Sequence, residues 1–171
     1  MNHFSHTQHT AFIADQENGT YQATRELKPE DILNLAEHIL WQQIKHREVF
    51  TSSEKVKRYL TSKLSLQDIE LFVVLFLDNK HRLIHSETLF NGTYNQCAVY
   101  PREVIKRALS LNAGALILAH NHPSTDVQPS VKDKEITEQI KMTAQLFDIR
   151  VLDHIIVGGA EAFSFAEKGL I

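Results

Sequence analysis

The spacing of apolar residues changes twice along this chain of 171 residues. Residues 1–28 are polar and show no period, which is typical of a flexible tail. In residues 29–64 the apolar residues recur at three and four positions, as they do on one face of a helix. From residue 65 to 171 they gather in short runs of strand length, separated by turns and further helical stretches. The pattern therefore predicts a tail, a helical lead-in and one compact domain.

Helices are predicted in both the lead-in and the domain. The first helix of the lead-in begins at Pro29, followed by two acidic residues that suit a first turn. The second and shorter helix is TSSEKVKRYLTSKL, whose hydroxyl residues can cap it. Within the domain, one helix can begin at Pro101 and end at Gly114, and another extends from Ser130 to Phe147.

Strands alternate with these helices inside the domain. LFVVLFLD and RLIHSETLF flank the turn sequence DNKH, which predicts a hairpin. ALILA and IRVLDHIIVGG predict two further strands, and AFSFAEKGLI a short closing strand. The result is an α/β (α+β) fold in which helices flank a mixed central sheet.

Composition and charge narrow the class of protein. The chain is 43% hydrophobic with a net charge of −3, which argues against a protein that coats nucleic acid or an anionic membrane. Cys97 is the single cysteine, so no disulfide framework and no Cys-x-x-Cys zinc motif exists within one chain. The first residues lack the pattern of a signal peptide, and the apolar runs are too short to cross a bilayer. We therefore expect a cytoplasmic protein without a membrane span.

The sequence HNHPSTDVQPSVKD, directly after ALILA, contains the candidate chemistry. His120 and His122 are two residues apart at the end of a strand, so both rings point to the same side. Pro123 keeps His122 extended, and Asp133 lies in the first turn of the next predicted helix, which Ser130 can cap. Two imidazoles and one carboxylate leave a fourth position open on a tetrahedral Zn²⁺. That arrangement is typical of a catalytic zinc site.

Simpler explanations exist for the same residues. A single His-x-His pair is a weak signal, and Ser130 with Asp133 also matches an ordinary capping box. Asp126 offers another carboxylate, but it follows His122 so closely that little chain is left to turn back. His154 fits a hydrogen-bonded interior residue better than a metal ligand. The position of the histidines at the end of a buried strand, with a carboxylate at the next helix start, favours the metal site.

The spacing His120-x-His122, seven residues, Ser130, two residues, Asp133 matches the JAMM motif of JAB/MPN-type zinc metallopeptidases without a gap. Within that class the chain resembles the RadC family in its short form. DNKHRLIHSETLFNGT, YPREVIKRALSLNAGALILAHNHPS and VLDHIIVGGAEAFSFAEKGLI are similar to the pattern of that family. The resemblance covers roughly residues 30–171. It implies a cytidine-deaminase-like JAB/MPN fold, one Zn²⁺ per chain and a protein or peptide substrate.

The resemblance also implies a role for each residue of the motif. His120, His122 and Asp133 would hold the zinc ion. Ser130 would donate a hydrogen bond to the oxyanion that forms when water attacks a carbonyl group.

The family further requires an upstream glutamate that accepts a proton from water and passes it to the leaving amine. Glu70, Glu87 and Glu103 are the candidates. Glu70 is favoured because it stands at the entry to the first buried strand, two residues before Phe72. Glu87 fits a solvated residue of the second hairpin strand, and Glu103 fits the first turn of a helix, where an acid is favourable.

Three functions follow as hypotheses. The first is zinc-dependent hydrolysis of a peptide or isopeptide bond. The second is a role in DNA repair or nucleic-acid processing, with which the RadC name is associated. The acidic charge counts against DNA binding, as does the lack of a Gly-x-Gly hairpin in residues 1–60. The third is a non-catalytic MPN interaction module, against which the complete ligand set counts. The sequence leaves the substrate and the oligomeric state open.

Overall fold

A computed structural model describes residues 11–15, 20–45, 53–93 and 97–171 of the chain. Within these residues it contains four helices and two sheets, and it confirms the predicted α+β class with a mixed sheet flanked by helices. In chain order the elements are β1 (Phe12–Asp15), β2 (Thr20–Ala23), α1 (Pro29–Lys45), α2 (Ser53–Leu64), β3 (Leu71–Leu77), β4 (Leu83–Asn91), α3 (Pro101–Ser110), β5 (Ala115–Asn121), α4 (Val131–Gln145), β6 (Arg150–Gly158) and β7 (Glu161–Ser164). None of the helices in this part of the chain combines the length and the hydropathy that a membrane span needs.

The main sheet has five strands in the order β4-β3-β5-β6-β7. β3 pairs antiparallel with both β4 and β5, as the predicted hairpin requires for β4. β5 and β6 run parallel, because α4 carries the chain back across the sheet between them. All seven residues of β5 are buried. A central strand covered on both faces therefore appears in the sequence as a continuous apolar run.

Two hydrophobic layers cover the two faces of this sheet. On one face, α2 packs with Val73, Leu75 and Leu77 of β3 and with the odd-numbered residues of β5. On the other face, α3 and α4 pack with the even-numbered residues Leu116 and Leu118 of β5. Successive side chains of a strand point to opposite faces. At the end of β5, the side chain of His120 therefore points towards α3 and α4, and that of Asn121 points towards the face that α2 covers.

The predicted helix starts are confirmed. α1 begins at Pro29 and α3 at Pro101, in positions where a missing backbone N–H costs nothing. Ser130 is the N-cap of α4, and its side chain accepts a hydrogen bond from the backbone N–H of Asp133. The first turn of α4, and with it Asp133, is thereby held in place at the end of the loop that follows β5.

The predicted end of α3 at Gly114 is wrong. The helix ends at Ser110, and Asn112 rather than glycine takes a positive φ of 50° in the turn that follows. Gly114 instead has its N–H bonded to the carbonyl of Leu77 at 2.8 Å. A Cβ at this position would collide with the side chain of Asn79. The glycine is therefore explained by the close approach of the β3–β4 turn to the start of β5.

The predicted tail contains regular structure. β1 and β2 pair antiparallel over four residues each, with Phe12 opposite Ala23. β2 is exposed along its whole length. Backbone hydrogen bonds therefore define the pair, and the sequence of the two strands has no apolar period that predicts it. Residues 1–10 and 16–19 of the predicted tail lie outside the described residues.

Candidate metal centre

Three side chains, one from β5, one from the loop directly after it and one from α4, converge where β5 ends. His120, on β5, is 1% exposed, and Asp133, in the first turn of α4, is 8% exposed. The Nε2 atoms of His120 and His122 are 3.0 Å apart. The carboxylate of Asp133 lies 3.3 Å from Nε2 of His120 and 3.5 Å from Nε2 of His122. These three residues form a group that could hold a metal ion.

The separations of these atoms fit a tetrahedral zinc ion. Zn–N and Zn–O distances near 2.0–2.2 Å give ligand atoms about 3.3–3.5 Å apart at the corners of a tetrahedron. The observed separations of 3.0, 3.3 and 3.5 Å lie close to that range. With both Nε2 lone pairs and the ionised carboxylate turned inward, a cation bound at the centre of the group would offset their mutual repulsion. Zinc fits this donor set, which the sequence predicted.

The ring of His122 is oriented by the loop that follows it. Its Nδ1 donates a hydrogen bond to the backbone carbonyl of Asp126, because a carbonyl oxygen can only accept. With the proton on Nδ1, the neutral ring has its lone pair on Nε2, the atom that faces His120 and Asp133. The side chain of Asp126 accepts from the backbone N–H of Gln128 instead. Asp126 therefore orients the ring of His122 through its carbonyl oxygen and is not one of the grouped residues.

A chain of buried hydrogen bonds orients the ring of His120. The hydroxyl of Thr137 donates its one proton to the carbonyl of Asp133, so its oxygen must accept from Nδ1 of His154. Burial holds the pKa of His154 well below its ordinary value, and the neutral ring therefore offers Nε2 as an acceptor. Nδ1 of His120, at 2.8 Å, must be the donor to it. The lone pair of His120 is thus left on Nε2, which faces His122 and Asp133. His154 is an interior residue, as predicted.

Because this relay determines the tautomer, we expect Thr137→Val to weaken zinc binding although Thr137 does not face the metal position. Without its hydroxyl oxygen, Nδ1–H of His154 has no acceptor, and the alternative tautomer of His154 would oppose Nδ1–H of His120. Loss of such outer partners typically lowers metal affinity by about 10- to 100-fold. Competition with a chromophoric chelator measures this, and Thr137→Ser, which keeps the hydroxyl, is the control. Equal zinc affinity in the valine and serine variants would contradict the relay.

The electrostatics of Asp133 favour its ionised form. Burial alone would raise the pKa of this carboxyl group, but its contacts with the rings of His120 and His122 outweigh burial and hold the pKa well below its ordinary value. Its Oδ2 also accepts from the backbone N–H of Ser130 at 2.7 Å, which completes a capping box. The capping interpretation of Ser130 and Asp133 is therefore correct, and it coexists with the metal grouping because the carboxylate has two oxygens.

Glu70 lies in the same cavity as the three grouped residues. This cavity has a volume of about 440 Å³ and its lining includes Glu70, Ser130 and the apolar side chains of Phe72 and Ile136. Glu70 precedes β3, two positions before Phe72, whose ring stacks on that of His120 at 6.2 Å between centroids. Partial burial raises the pKa of Glu70 above its ordinary value, against the lowering effect of the neighbouring histidines. A carboxylate with a raised pKa suits proton transfer near neutral pH.

The other two predicted candidates for the base lie elsewhere. Glu87 accepts a hydrogen bond at 2.5 Å from the guanidinium of Arg107, on the surface between β4 and α3. Glu103 is exposed in the first turn of α3, 3.7 Å from the ammonium group of Lys106. Cys97 does line the cavity, but burial raises the pKa of its thiol to about 11, so the reactive thiolate is suppressed.

The sequence predicted the three grouped residues but not the role of Thr137. Its position four residues after Asp133 on one helix places both on the same face, yet nothing local shows that His154, from β6, fills the space between Thr137 and His120. Only the register of β5 against β6, in which Leu118 pairs with His154, supplies that contact.

The fold and the site together define a JAB-type domain with a candidate metal centre. A family model described as RadC-like JAB domain matches residues 50–170, and the chain belongs to this family. The chain is 53% identical over 137 residues to a UPF0758 protein of Histophilus somni, covering 80% of this chain. It is 52% identical over 140 residues to one of Leptothrix cholodnii and 49% identical over 140 residues to one of Aliivibrio fischeri, covering 82% of this chain in both cases. The chain spans 62–63% of the length of these relatives.

Proposed function

We propose that the protein is a zinc-dependent hydrolase that cleaves a peptide or isopeptide bond. The observation that carries this proposal is the convergence of His120, His122 and Asp133 on one centre, in a cavity that also contains Glu70 and Ser130. Three protein ligands leave room for solvent and substrate on a four-coordinate ion, which distinguishes a catalytic zinc site from a structural one.

A zinc ion bound there would act as a Lewis acid that polarises a carbonyl group and lowers the pKa of a water molecule towards about 7. Glu70 accepts a proton from the attacking water as its oxygen bonds to the carbonyl carbon. The same carboxyl group then delivers this proton to the nitrogen as the C–N bond breaks, so the products are a carboxylic acid and an amine. The raised pKa of Glu70 supports both steps, because the group must be a base first and an acid afterwards.

Ser130 is suited to stabilise the charge that develops on the carbonyl oxygen. Its Oγ accepts a hydrogen bond from the backbone N–H of Asp133 at 3.1 Å. That contact uses a lone pair, so the hydroxyl proton is available to donate into the cavity. A donor aimed at a developing oxyanion is typically worth about 10²–10³ in rate. The capping function of Ser130 fixes the position of this donor at the start of α4.

The proposal is tested by following hydrolysis with and without zinc. Proteins and peptides extracted from a bacterial cell are incubated with the zinc-loaded chain, the zinc-stripped chain, and the stripped chain to which zinc has been returned. We expect new amino termini, or newly freed lysine amines, by mass spectrometry in the first and third incubations only. A chain that holds about one zinc ion and yet generates no new amine in any incubation would refute the proposed hydrolysis.

A further inference from the structure

Asn121 lies between His120 and His122 in the chain, but its side chain belongs to the other face of the sheet. Successive residues of β5 alternate in direction, and His120 shares its face with Leu116 and Leu118. Asn121 is 2% exposed and lines a second cavity, formed with residues 64–68, rather than the one that contains the metal group. His122 also lines this second cavity, but the hydrogen bonds of the Asn121 amide go to the backbone of residues 67–71 and not to a grouped side chain.

The amide of Asn121 holds the segment that carries Glu70. Its Oδ1 accepts a hydrogen bond from the backbone N–H of Leu71 at 2.8 Å. Its Nδ2 donates to the carbonyl of Ile69 at 2.9 Å, with a longer contact of 3.4 Å to the carbonyl of Gln67. The two shorter bonds thus reach the residues immediately before and after Glu70.

These bonds continue the sheet beyond the point where its backbone ladder stops. The last backbone pair between β3 and β5 is Phe72 with His120. On the other side, Glu70 is held by main-chain bonds, from its N–H to the carbonyl of Thr93 at 2.9 Å and from Gly92 to its carbonyl at 2.8 Å. Asn121 is the matching restraint on the β5 side, where its amide takes the place of a peptide group.

We propose that Asn121 is a positioning residue that fixes the carboxylate of Glu70 relative to the metal. The inference rests on the proposed function, in which Glu70 transfers the proton. Asn121 lies in the chain directly between His120 and His122. The same segment of backbone therefore carries both proposed imidazole ligands and the amide that holds the residues on either side of Glu70. Loss of this restraint moves the base without altering any ligand. A displacement of about 1 Å in such a group can cost on the order of a hundredfold in rate.

The position of Glu70 can be measured without any substrate. In the full chain loaded with Co²⁺, the paramagnetic ion shifts the NMR signals of nearby protons according to their position. We expect Asn121→Leu to bind Co²⁺ as the wild-type chain does but to show an altered or broadened pseudocontact shift for the Glu70 side chain. Tyr59→Phe is the matched control, since it removes a partly buried hydrogen bond, to Ser86 at 3.1 Å, in the α2 layer.

Two further measurements separate positioning from general stability. We expect the Leu71 amide to exchange faster with solvent in Asn121→Leu, and kcat to fall by about 10- to 100-fold with KM and zinc content unchanged. Asn121→Asp keeps the acceptor for Leu71 but turns an oxygen, in place of the donor, towards the carbonyl of Ile69, so it should show changes in the same direction. This second variant also decides the question if the leucine variant does not fold.

The outcomes distinguish failure of this inference from failure of the proposed function. If the Glu70 shift in the Asn121 variants equals that of the wild-type chain, Asn121 does not position Glu70 and the inference is refuted. Loss of metal from folded Asn121→Leu would also refute it, because the residue would then act through the ligands. If the wild-type chain itself takes up neither Co²⁺ nor Zn²⁺, the proposed function fails and this inference fails with it.

Discussion

Replacing Glu70 by glutamine should lower the rate of hydrolysis by about 10²- to 10⁴-fold, the contribution typical of a positioned general acid–base. The amide has nearly the same shape as the carboxylate but cannot accept and return a proton. Zinc content should remain at the wild-type value, because Glu70 is not among the grouped residues His120, His122 and Asp133. Zinc analysis together with the count of new amines from a substrate mixture measures both effects on one sample.

The two carboxylates that the sequence left open provide the controls. Glu87→Gln removes one partner of the surface pair with Arg107, and Glu103→Gln changes an exposed helix residue. Exposed pairs contribute only about 0–1 kcal/mol to stability, so both variants should hydrolyse substrate at close to the wild-type rate. If either control lost activity as strongly as Glu70→Gln, or if Glu70→Gln stayed active, the assignment of the base would be wrong.

Most of the fold could be predicted because the elements of the sheet domain differ clearly in their apolar period. β3 is buried at six of its seven positions, and the sequence shows it as LFVVLFL. The helix starts could be predicted because Pro29, Pro101 and Ser130 act locally, on the first turn of their own helices. β1 and β2 escaped prediction because an exposed pair held by its backbone has no side-chain pattern. The same limit applies to Gly114, whose neighbour Asn79 is distant in sequence.

In the candidate site too, the residues placed by local structure could be predicted, and those whose role depends on long-range contacts could not. The convergence of His120 and His122 follows from the two-residue period of a strand, and Asp133 follows from the first turn of the next helix. His154 could be recognised only as an interior residue, since its bond to His120 depends on the register between two strands. The clamp of Asn121 on the segment around Glu70 depends likewise on the pairing of β5 with β3. The three grouped residues were therefore predictable, whereas the residues that orient them were not.

Removal of the His122 imidazole should weaken zinc binding by a factor comparable to the loss of rate expected for Glu70→Gln. Apparent binding free energies of about 10–16 kcal/mol are shared by four ligands in structural zinc sites, or about 3 kcal/mol for each. We therefore expect His122→Ala to bind zinc on the order of a hundredfold to a thousandfold more weakly, and to lose stoichiometric zinc during purification. His85→Ala is the control, because His85 is half-buried on β4 and is not one of the grouped residues.

Thermal unfolding provides a second measurement of the same loss. A ligand that binds only the folded chain stabilises it by about 4 kcal/mol when its free concentration is a thousand times its Kd. Added zinc should raise the unfolding temperature of the wild-type chain and of His85→Ala, and should raise that of His122→Ala far less. Without zinc, the half-buried position of His122 at the end of β5 means that its replacement should leave the fold intact. Equal zinc content and equal stabilisation in His122→Ala and the wild-type chain would show that the metal binds elsewhere. The proposed hydrolysis at the group of His120, His122 and Asp133 would then be refuted.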